Sequence, residues 1–327
     1  MSPKHAAAQQ YAAKAQSARA ISTAPATAQP RSYNACVPAS YFNADLHCHS
    51  TCSDGTLDPA SLAALAAQGG VDLWALTDHD DISGQAAAQD AACERGMAYL
   101  TGVEISASYA NHTIHIVGLG FDAESAPLQQ GLAAMRHSRA PRAQEMGRQL
   151  EQAGIAGAYE GALRYAGNPA LIARTHFARF LIENGHCASM GEVFHRYLVE
   201  GKPGFVPQRW ASVQEAVQWI VQAGGVAVIA HPARYHLGDT LEHALITHFK
   251  ECGGQGIEVV CGGHTAAEAQ RYAQCARHIG LYASRGSDFH SPAESKIFPG
   301  QLAAAPHQLP AVWELLEHRI QPAPTVS

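Results

Sequence analysis

The feature that most constrains the fold is a repeated alternation of short apolar strands and helices, which begins at Tyr41. The segments "VDLWALTDH", "GGVAVIAHP", "GQGIEVVCG" and "LYASRGSDFH" are predicted strands, and helical stretches over 212–223, 239–252 and 265–279 lie between the later ones. Such alternation favours a mainly parallel sheet, open or closed, that is covered by helices. Polar residues recur at the carboxyl ends of these strands, where barrel and open α/β enzymes place their sites.

The first third of the chain follows the same pattern. "YFNADLHCH" is the first predicted strand, and the helix that follows has Asp58 as its N-cap, Pro59 in its first position and Gly69-Gly70 at its end. A second helix is predicted over 84–95. "MAYLTGVEISAS" and "HTIHIVGLG" are predicted to be neighbouring strands, because only the short turn "YANH" separates them.

Three regions differ in composition, and they predict the domain organisation. Residues 1–40 are Ala/Gln-rich, contain no Asp or Glu and have no apolar signal region, so a disordered or weakly helical tail is expected. Residues 124–203 have few β-branched runs and predict a helical insertion, a cap that lies over the strand ends and selects the substrate. The α/β domain then consists of 41–123 and 204–320, and "LPAVWELLEHRI" is predicted to close it as one amphipathic helix.

Charge and cysteine usage exclude some classes of protein. The chain has 22 Lys and Arg against 28 Asp and Glu, a net charge of −6, so a large basic groove for long duplex nucleic acid is not expected. The eight cysteines are scattered without a CxxC pair, which is typical of reduced thiols in a cytoplasmic protein. No apolar run approaches the roughly 20 residues that a membrane-spanning helix needs.

Histidine is enriched, with 19 residues, and the first strand carries two of them. Because side chains alternate along a strand, His47 and His49 point to the same side with their Cα atoms about 6.5 Å apart, while Cys48 points away. Taken alone, this pattern supports a metal site and a pair of structural histidines equally well. Cys48 and Cys52 are interpreted as small buried apolar residues rather than ligands.

The other strand ends repeat this chemistry. Six imidazoles and three carboxylates are candidate metal ligands: His47, His49, Asp54, His79, Glu104, His115, His231, Asp288 and His290. Nitrogen and oxygen donors without thiolates suit Mn²⁺, Fe²⁺ or Zn²⁺ better than Ca²⁺. Nine ligands exceed the need of one ion, so two or three ions are expected, and neighbouring ions suit phosphoryl transfer. Asp45, Asp78 and Asp80 either orient ligand imidazoles or cap strand ends.

Six motifs in order resemble those of the PHP (polymerase and histidinol phosphatase) family of metal-dependent phosphoesterases. They are "DLHCHSTCSDGTL", "LTDHD", "GVEIS", "HIVGLG", "IAHP" and "GSDFH", and they extend over roughly residues 43–291. The resemblance implies a distorted (β/α)7 TIM-like barrel with a metal cluster at the carboxyl ends of its strands. It also implies that all nine candidates bind metal, most simply Mn with Fe or Zn as alternatives, that Glu104 bridges, and that a metal-bound hydroxide attacks phosphorus.

Motifs in the insertion and in one later loop resemble one particular branch of this family. "RTHFAR", "GKPGF" and "HPARY" are similar to the PHP branch that hydrolyses nucleoside 3′,5′-bisphosphates and trims the 5′ end of short RNA. This implies that Arg174, His176, Lys202 and Arg234 bind phosphate, for which arginine is suited by its bidentate fork. Without the resemblance, the same segments predict solvated helix residues and a turn. Ala233 stands where that branch is expected to have glycine.

The resemblance therefore predicts a cytoplasmic phosphomonoesterase that releases the 3′ phosphate of a nucleoside 3′,5′-bisphosphate and also accepts short single-stranded RNA. His231 is one candidate to protonate the leaving oxygen, and a monomer is compatible with the sequence. Three alternatives stay open. They are a PHP phosphatase for another small phosphomonoester such as histidinol phosphate, an amidohydrolase-type C–N hydrolase, and a non-catalytic metal-binding module. The second lacks a strand-end lysine to bridge metals, and the third disagrees with nine filled ligand positions.

Overall fold

Strands and helices alternate through the computed structural model, which describes residues 41, 43–208, 210–304 and 309–323. The strands are β1 Ala44–Asp45, β2 Leu73–Trp74, β3 Ala98–Tyr99, β4 Gly102–Tyr109, β5 His112–Leu119, β6 Ala211–Ser212, β7 Val226–Ile229, β8 Gly256–Cys261 and β9 Tyr282–Gly286. The helices are α1 Pro59–Gln68, α2 Gln85–Glu94, α3 Ala126–Gln152, α4 Ala158–Leu163, α5 Arg174–Glu183, α6 Met190–Val193, α7 Val213–Gln222, α8 Asp239–Glu251 and α9 Ala266–Ile279. The predicted tail, 1–40, lies outside the described residues.

The strands close into a barrel. Parallel pairing joins β1, β2 and β3, while a second sheet has the order β6-β4-β5-β7-β8-β9. Two parallel bridges connect the sheets, His79 with Glu104 on one side and Cys48 with Phe289 on the other. With β3 and β4 taken as one bent strand, the described residues form a ring of seven, and β6 is an extra strand on β4. The predicted distorted (β/α)7 barrel is confirmed.

The distortion comes from one strand that runs in the opposite direction. β5 is antiparallel to both β4 and β7. Tyr109 pairs with His112, so a two-residue turn connects β4 and β5, and both turn residues have positive φ, 45° at Ala110 and 67° at Asn111. Left-handed backbone at both positions is the geometry of the tight hairpin turn that matches strand twist. The predicted adjacency of these two strands is confirmed.

Alternation along β4 and β5 separates the outer core from the barrel interior. Ile105 and Ile116 belong to the buried cluster that includes Ile220 of α7, on the outside of the sheet. Residues of the opposite parity, such as Val117, belong to a second cluster inside the barrel. Because neighbouring residues on a strand face opposite sides, Glu104 and His115 point into the barrel.

The C-terminal segment corrects one prediction. Instead of an amphipathic helix over 309–320, the structure has a short 3-10 helix, Val312–Leu316. The segment is tied at both ends, by a bridge from Ala311 to Ala283 of β9 and another from Gln321 to Tyr99 of β3. These bridges leave too few residues for a long helix. Val312 and Leu316 still close the interior, because both are buried in the inner cluster.

The insertion has an apolar core of its own. Helices α3 to α6 and the π-helical turn Phe194–Leu198 supply it, and its fully buried members lie between Ala143 and Leu198. The insertion is helical, as predicted, and its longest helix is α3, with Pro141 inside it. The segment 170–185 is broken at Ile172, so that α5 begins at Arg174. A separate core is what an inserted domain needs, and the predicted boundaries 124–203 stay a prediction.

Two further expectations concern the described residues as a whole. No helix among them is long and apolar enough to cross a membrane. The seven described cysteines are free thiols, as the scattered spacing predicts. Cys48 is fully buried, and its thiol contacts the Trp74 indole nitrogen at 3.2 Å and the Ala75 carbonyl oxygen at 3.4 Å. Cys48 therefore packs behind the strand rather than among the histidines, as predicted.

A substitution of Gly286, at the end of β9, tests how closely this strand must approach His47 for the barrel to be stable. A Cβ there would lie 2.1 Å from the Cβ of His47 and 2.8 Å from its backbone nitrogen. Because backbone cannot yield as a flexible side chain does, we expect Gly286→Ala to lower the free energy of unfolding by about 1–3 kcal/mol. Urea unfolding followed by circular dichroism measures this change. Gly191→Ala, where a Cβ meets nothing within 4 Å, is the control, and equal midpoints for the two variants would contradict this account.

Candidate metal centre

The nine predicted ligands converge at one end of the barrel. Their donor atoms form four overlapping groups, in each of which one atom per residue lies within 4.8 Å of the others. The groups are His49, Asp54, His79 and His290; His47, Glu104 and His231; His47, His49 and Asp288; and His79, Glu104 and His115. The structure thus brings together every residue of the predicted set.

Glu104 lies at the centre of this arrangement. Its Oε1 is 2.9 Å from His115 Nδ1, 3.0 Å from His231 Nε2 and 3.3 Å from His47 Nε2. Its Oε2 is 2.8 Å from His79 Nδ1. The carboxylate is fully buried, and the surrounding imidazoles hold its pKa well below the usual range although burial alone would raise it. A carboxylate that meets imidazoles on both oxygens is placed as a bridging ligand would be.

Unusual backbone turns deliver two of these side chains. His231, directly after β7, has φ 25°, and Asp288, after β9, has φ 53°. Residues other than glycine rarely adopt positive φ, and such strain persists only where surrounding contacts enforce it. Here the Asp288 amide donates to the His47 carbonyl oxygen at 2.8 Å, and the His231 amide donates to Glu258 Oε2 at 2.6 Å.

Glu258 is a site residue that the sequence reasoning missed. It lies on β8 and is almost fully buried. Its Oε1 is 2.7 Å from His47 Nδ1, while Oε2 accepts the His231 amide hydrogen. By holding Nδ1–H, this carboxylate leaves Nε2 of His47 free to face the cluster, which is the usual support of a metal-binding histidine. A single acidic residue inside the apolar strand "GIEVVCG" was the available signal.

The donor set fits divalent metal ions. Asp54 Oδ1, Glu104 Oε2 and Asp288 Oδ1 are buried and accept no hydrogen bond of suitable geometry from the described residues. His49 Nε2 lies 3.2 Å from His47 Nε2 and 3.2 Å from Asp288 Oδ1. Ligands of one ion with bonds of about 2.1 Å are separated by about 3.0–3.4 Å. These spacings and the unsatisfied oxygens are what a set of cations between the side chains would account for.

Protonation of the histidines is uneven because of their surroundings. Burial, with His290 and His79 nearby, lowers the pKa of His49 to about 3, so this imidazole is neutral and able to bind a cation. At His79, burial alone would lower the pKa, but Glu104 and Asp54 raise it to about 9. Burial also lowers the pKa of His231, which disfavours a proton-donor role for its imidazole.

The aspartates beside the ligands cap strand ends. Asp78 accepts hydrogen bonds from the Ser50 amide and from the Ser50 and Ser53 hydroxyls, and so fixes the turn after β1. Asp45 accepts from the Ser287 amide at 2.8 Å. Asp80 accepts from the Ser106 amide and pairs with an arginine of α3. None of these hydrogen bonds involves an imidazole. The structure therefore favours the interpretation that the three aspartates cap strand ends rather than orient the ligand histidines.

A cavity of about 180 Å³ opens above the cluster, between the barrel and the insertion. Arg174 and Arg234, two of the four residues predicted to bind phosphate, line it. Arg234 also pairs with Asp288, which holds the pKa of its guanidinium above the usual range. His176 and Lys202 are placed elsewhere. His176 is fully buried, and its Nδ1 accepts a hydrogen bond from the Ala173 amide. Lys202 is exposed and lines neither this cavity nor the adjoining cavity that Lys296 lines.

Sequence reasoning also missed three residues that line this cavity. Arg139 and Arg142 project from α3, and their guanidinium carbons lie 4.8 and 5.7 Å from the ring centre of Trp210. Arg139 pairs with Asp80 at the rim of the barrel. Both arginines occur in a helix rich in basic residues, where nothing in the sequence distinguishes them from surface side chains. Thr175, at the start of α5, donates to Asp54 Oδ2 at 2.8 Å.

Comparison with known proteins agrees with this geometry. The model of the PHP domain family matches residues 45–229, more than half of the 327 residues. A 3′,5′-nucleoside bisphosphate phosphatase from Chromobacterium violaceum is 49% identical over 85% of this chain and 98% of its own. A 5′-3′ exoribonuclease from Haemophilus influenzae is 44% identical over 76% of this chain and 90% of its own. A solved Chromobacterium violaceum structure, described as an amidohydrolase with bound sulfate, has a TM-score of 0.83 and 48% identity over 86% of this chain and 99% of its own.

The barrel, the histidine and carboxylate cluster at one of its ends and these matches together define a metal-dependent hydrolase of phosphoric esters. The chain belongs to the PHP domain family. Its cluster contains groups that could bind metal. The C–N hydrolase alternative gains nothing from the site, because no lysine among the described residues lines the cavity.

A substitution of Glu258 tests whether metal affinity depends on residues that support the ligands without binding the metal themselves. In Glu258→Gln, the amide NH₂ would oppose either His47 Nδ1–H or the His231 amide, since both of these groups donate to the carboxylate. We expect metal affinity to fall about 10- to 100-fold, the usual effect of removing such a support. Isothermal titration with Mn²⁺ or Zn²⁺ measures it. Glu268→Gln, a change at an exposed helix cap, is the control, and equal affinities for both variants would exclude the role assigned to Glu258.

Proposed function

We propose that this protein hydrolyses nucleoside 3′,5′-bisphosphates with release of the 3′ phosphate, and that it acts stepwise on the 5′ ends of short single-stranded RNA. The observation that carries the proposal is a pair of arginines, Arg142 and Arg174, that line the cavity above the metal centre. Neither makes an ion pair with a carboxylate among the described residues, unlike Arg139 and Arg234. A substrate with a second phosphate supplies the missing anion.

The electrostatics of these arginines favour an anionic ligand. Burial, with Arg174 and Arg139 close by, lowers the pKa of Arg142 to about 9. Burial and Arg139 likewise lower the pKa of Arg174. Cations crowded in a half-buried wall repel one another, and a phosphate dianion between them removes that repulsion. Guanidinium groups also match phosphate oxygens through paired hydrogen bonds. This wall therefore suits a 5′ phosphate while the 3′ phosphate lies at the metal centre.

Different residues of the chain have different roles in the proposed reaction. The nine clustered side chains hold the ions, which supply an activated water and neutralise charge on the phosphoryl oxygens when bound. Glu258 fixes the ring of His47, and Thr175 fixes the carboxylate of Asp54. The insertion forms one side of the cavity through Arg142, Arg174 and Phe194. Arg142 and Arg174 orient the substrate, which converts binding into positioning of the reacting phosphorus.

The number and identity of the ions are part of the proposal. His47, His49, His79 and Glu104 each belong to two of the four metal-binding groups, so neighbouring ions share ligands. We infer two or three ions, with Mn²⁺ the preferred occupant and Fe²⁺ or Zn²⁺ as alternatives. The names of the two relatives, a nucleoside bisphosphate phosphatase and a 5′-3′ exoribonuclease, support the substrate class, and a cytoplasmic location stays a prediction.

The first test compares substrates in protein reconstituted with Mn²⁺. Phosphate release from a nucleoside 3′,5′-bisphosphate is measured beside the matching 5′-monophosphate and histidinol phosphate. We expect kcat/KM for the bisphosphate to be at least about tenfold above the others, which is about 1.4 kcal/mol of transition-state discrimination. A chelator added in excess is expected to abolish turnover of all three. Equal or reversed rates would remove the case for this substrate and leave the phosphoesterase chemistry.

A second test addresses the arginine pair. In Arg174→Ala we expect kcat/KM for the bisphosphate to fall about 10- to 100-fold, because a hydrogen bond to a charged group contributes about 1.5–3 kcal/mol. The same variant should change kcat/KM for the nucleoside 3′-monophosphate by less than threefold, since that substrate lacks the 5′ phosphate. Arg148→Ala, on the exposed side of α3 and paired with Glu145, is the matched control. Parallel losses on both substrates would exclude a specific contact with the 5′ phosphate.

A further inference from the structure

A second cavity of about 470 Å³ adjoins the one above the metal centre. The two share five lining residues: Thr175, Phe194, Arg234, Asp288 and His290. The metal centre therefore opens in two directions. One leads to the wall formed by Arg142, Arg174 and Trp210, and the other leads past Phe194 toward the loop after His290.

The lining of the second cavity combines apolar surface with cationic side chains. Met190, Phe194 and Ile297 provide the apolar part, and the cations are Lys296 and Arg234, of which Arg234 pairs with Asp288. Lys296 is exposed and makes no ion pair with a carboxylate among the described residues. Nucleotides match this combination, because bases pack on aromatic and apolar side chains while the phosphates attract a lysine.

The loop that carries Lys296 is held in place. Arg179 of α5 binds Glu294 through two contacts, Nε to Oε1 at 2.7 Å and a terminal nitrogen to Oε2 at 2.8 Å. The Ser295 hydroxyl accepts from the His290 amide at 2.9 Å. Lys296 thus follows directly on two anchored residues, next to a predicted metal ligand. Lys296 therefore belongs to an anchored loop and lines the same cavity as Asp288 and His290.

The substrates of the proposed function differ in one respect. A nucleoside 3′,5′-bisphosphate has the same chemical form as the 5′ end of a phosphorylated RNA cut after its first 3′ phosphate. When the 5′ phosphate lies against Arg142 and Arg174, the 3′ phosphorus lies at the metal centre in both. RNA alone carries a further strand on that phosphorus, and this strand needs a path that the bisphosphate does not use.

We propose that the second cavity binds the RNA strand that continues beyond the scissile phosphate, with Lys296 contacting its next phosphate and Phe194 bordering its first base. This inference rests on the proposed function and assigns the cavity to the RNA activity alone. In the reaction, a water oxygen bonds to phosphorus and the P–O3′ bond breaks. The 3′ oxygen of the first nucleotide gains a proton, and the phosphate stays on the shortened strand as its new 5′ phosphate.

The experiment compares two substrates in the Mn²⁺-loaded full chain, a nucleoside 3′,5′-bisphosphate and a 5′-phosphorylated tetraribonucleotide. In Lys296→Ala we expect KM for the tetranucleotide to rise about 3- to 10-fold, and the slope of log KM against log salt concentration to fall by about 0.7, the effect of one lost phosphate contact to a single strand. Kinetic constants for the bisphosphate should not change. Lys296→Arg should retain the parent values. Lys250→Ala, a change of equal charge at the end of α8, is the matched control.

Each outcome decides one of the two proposals. If the parent protein hydrolysed neither substrate, the proposed function would be overturned, and the inference with it. Parent activity on both substrates, with tetranucleotide constants and salt slope that are equal in Lys296→Ala and Lys250→Ala, would overturn the inference alone. An equal loss on both substrates in Lys296→Ala would also overturn it, because the residue would then serve the shared reaction rather than the longer strand.

Discussion

The structure depends on one buried carboxylate. Glu104 meets imidazoles on both of its oxygens, and it also pairs through its backbone with His79, at one of the two bridges that close the barrel. The same residue therefore contributes to barrel closure and to the ligand cluster, because its backbone pairs with His79 while its carboxylate meets the histidines. A buried carboxylate is costly unless it is compensated; the surrounding imidazoles provide compensation, and bound cations would add to it.

The insertion is joined to the barrel by polar contacts at the rim of the site. Arg139 pairs with Asp80, Thr175 donates to Asp54, and Arg179 binds Glu294. Each contact joins an insertion helix to a strand end or to the loop that follows one. The wall that is proposed to select the substrate is thus attached directly to the residues that are proposed to perform the chemistry. A shift of the insertion would move both.

Most of the ligand positions could be predicted from the sequence because they follow apolar runs that form strands, and parallel strands bring their carboxyl ends together. Glu104 and His115 instead lie within β4 and the antiparallel β5, where alternation points them into the barrel. Glu258 left one sequence signal, its charge inside an apolar strand, but its role depends on His47, which is distant in sequence. Arg142 could not be singled out, because its role depends on Arg174. His176 matched a motif, yet its imidazole caps the start of α5. The C-terminal helix was predicted wrongly because its apolar spacing does not reveal the two bridges that restrain the segment.

The arginine wall has a kinetic consequence. In the proposed reaction the 5′ phosphate is untouched, so the product keeps the group that Arg142 and Arg174 hold. An interaction that is equal in substrate and product strengthens the binding of both. The same interaction slows release of the product. The nucleoside 5′-monophosphate should therefore compete with fresh substrate, and product release should limit turnover. For an RNA strand the same retention is useful, because each cut creates a new 5′ phosphate that these arginines can hold next.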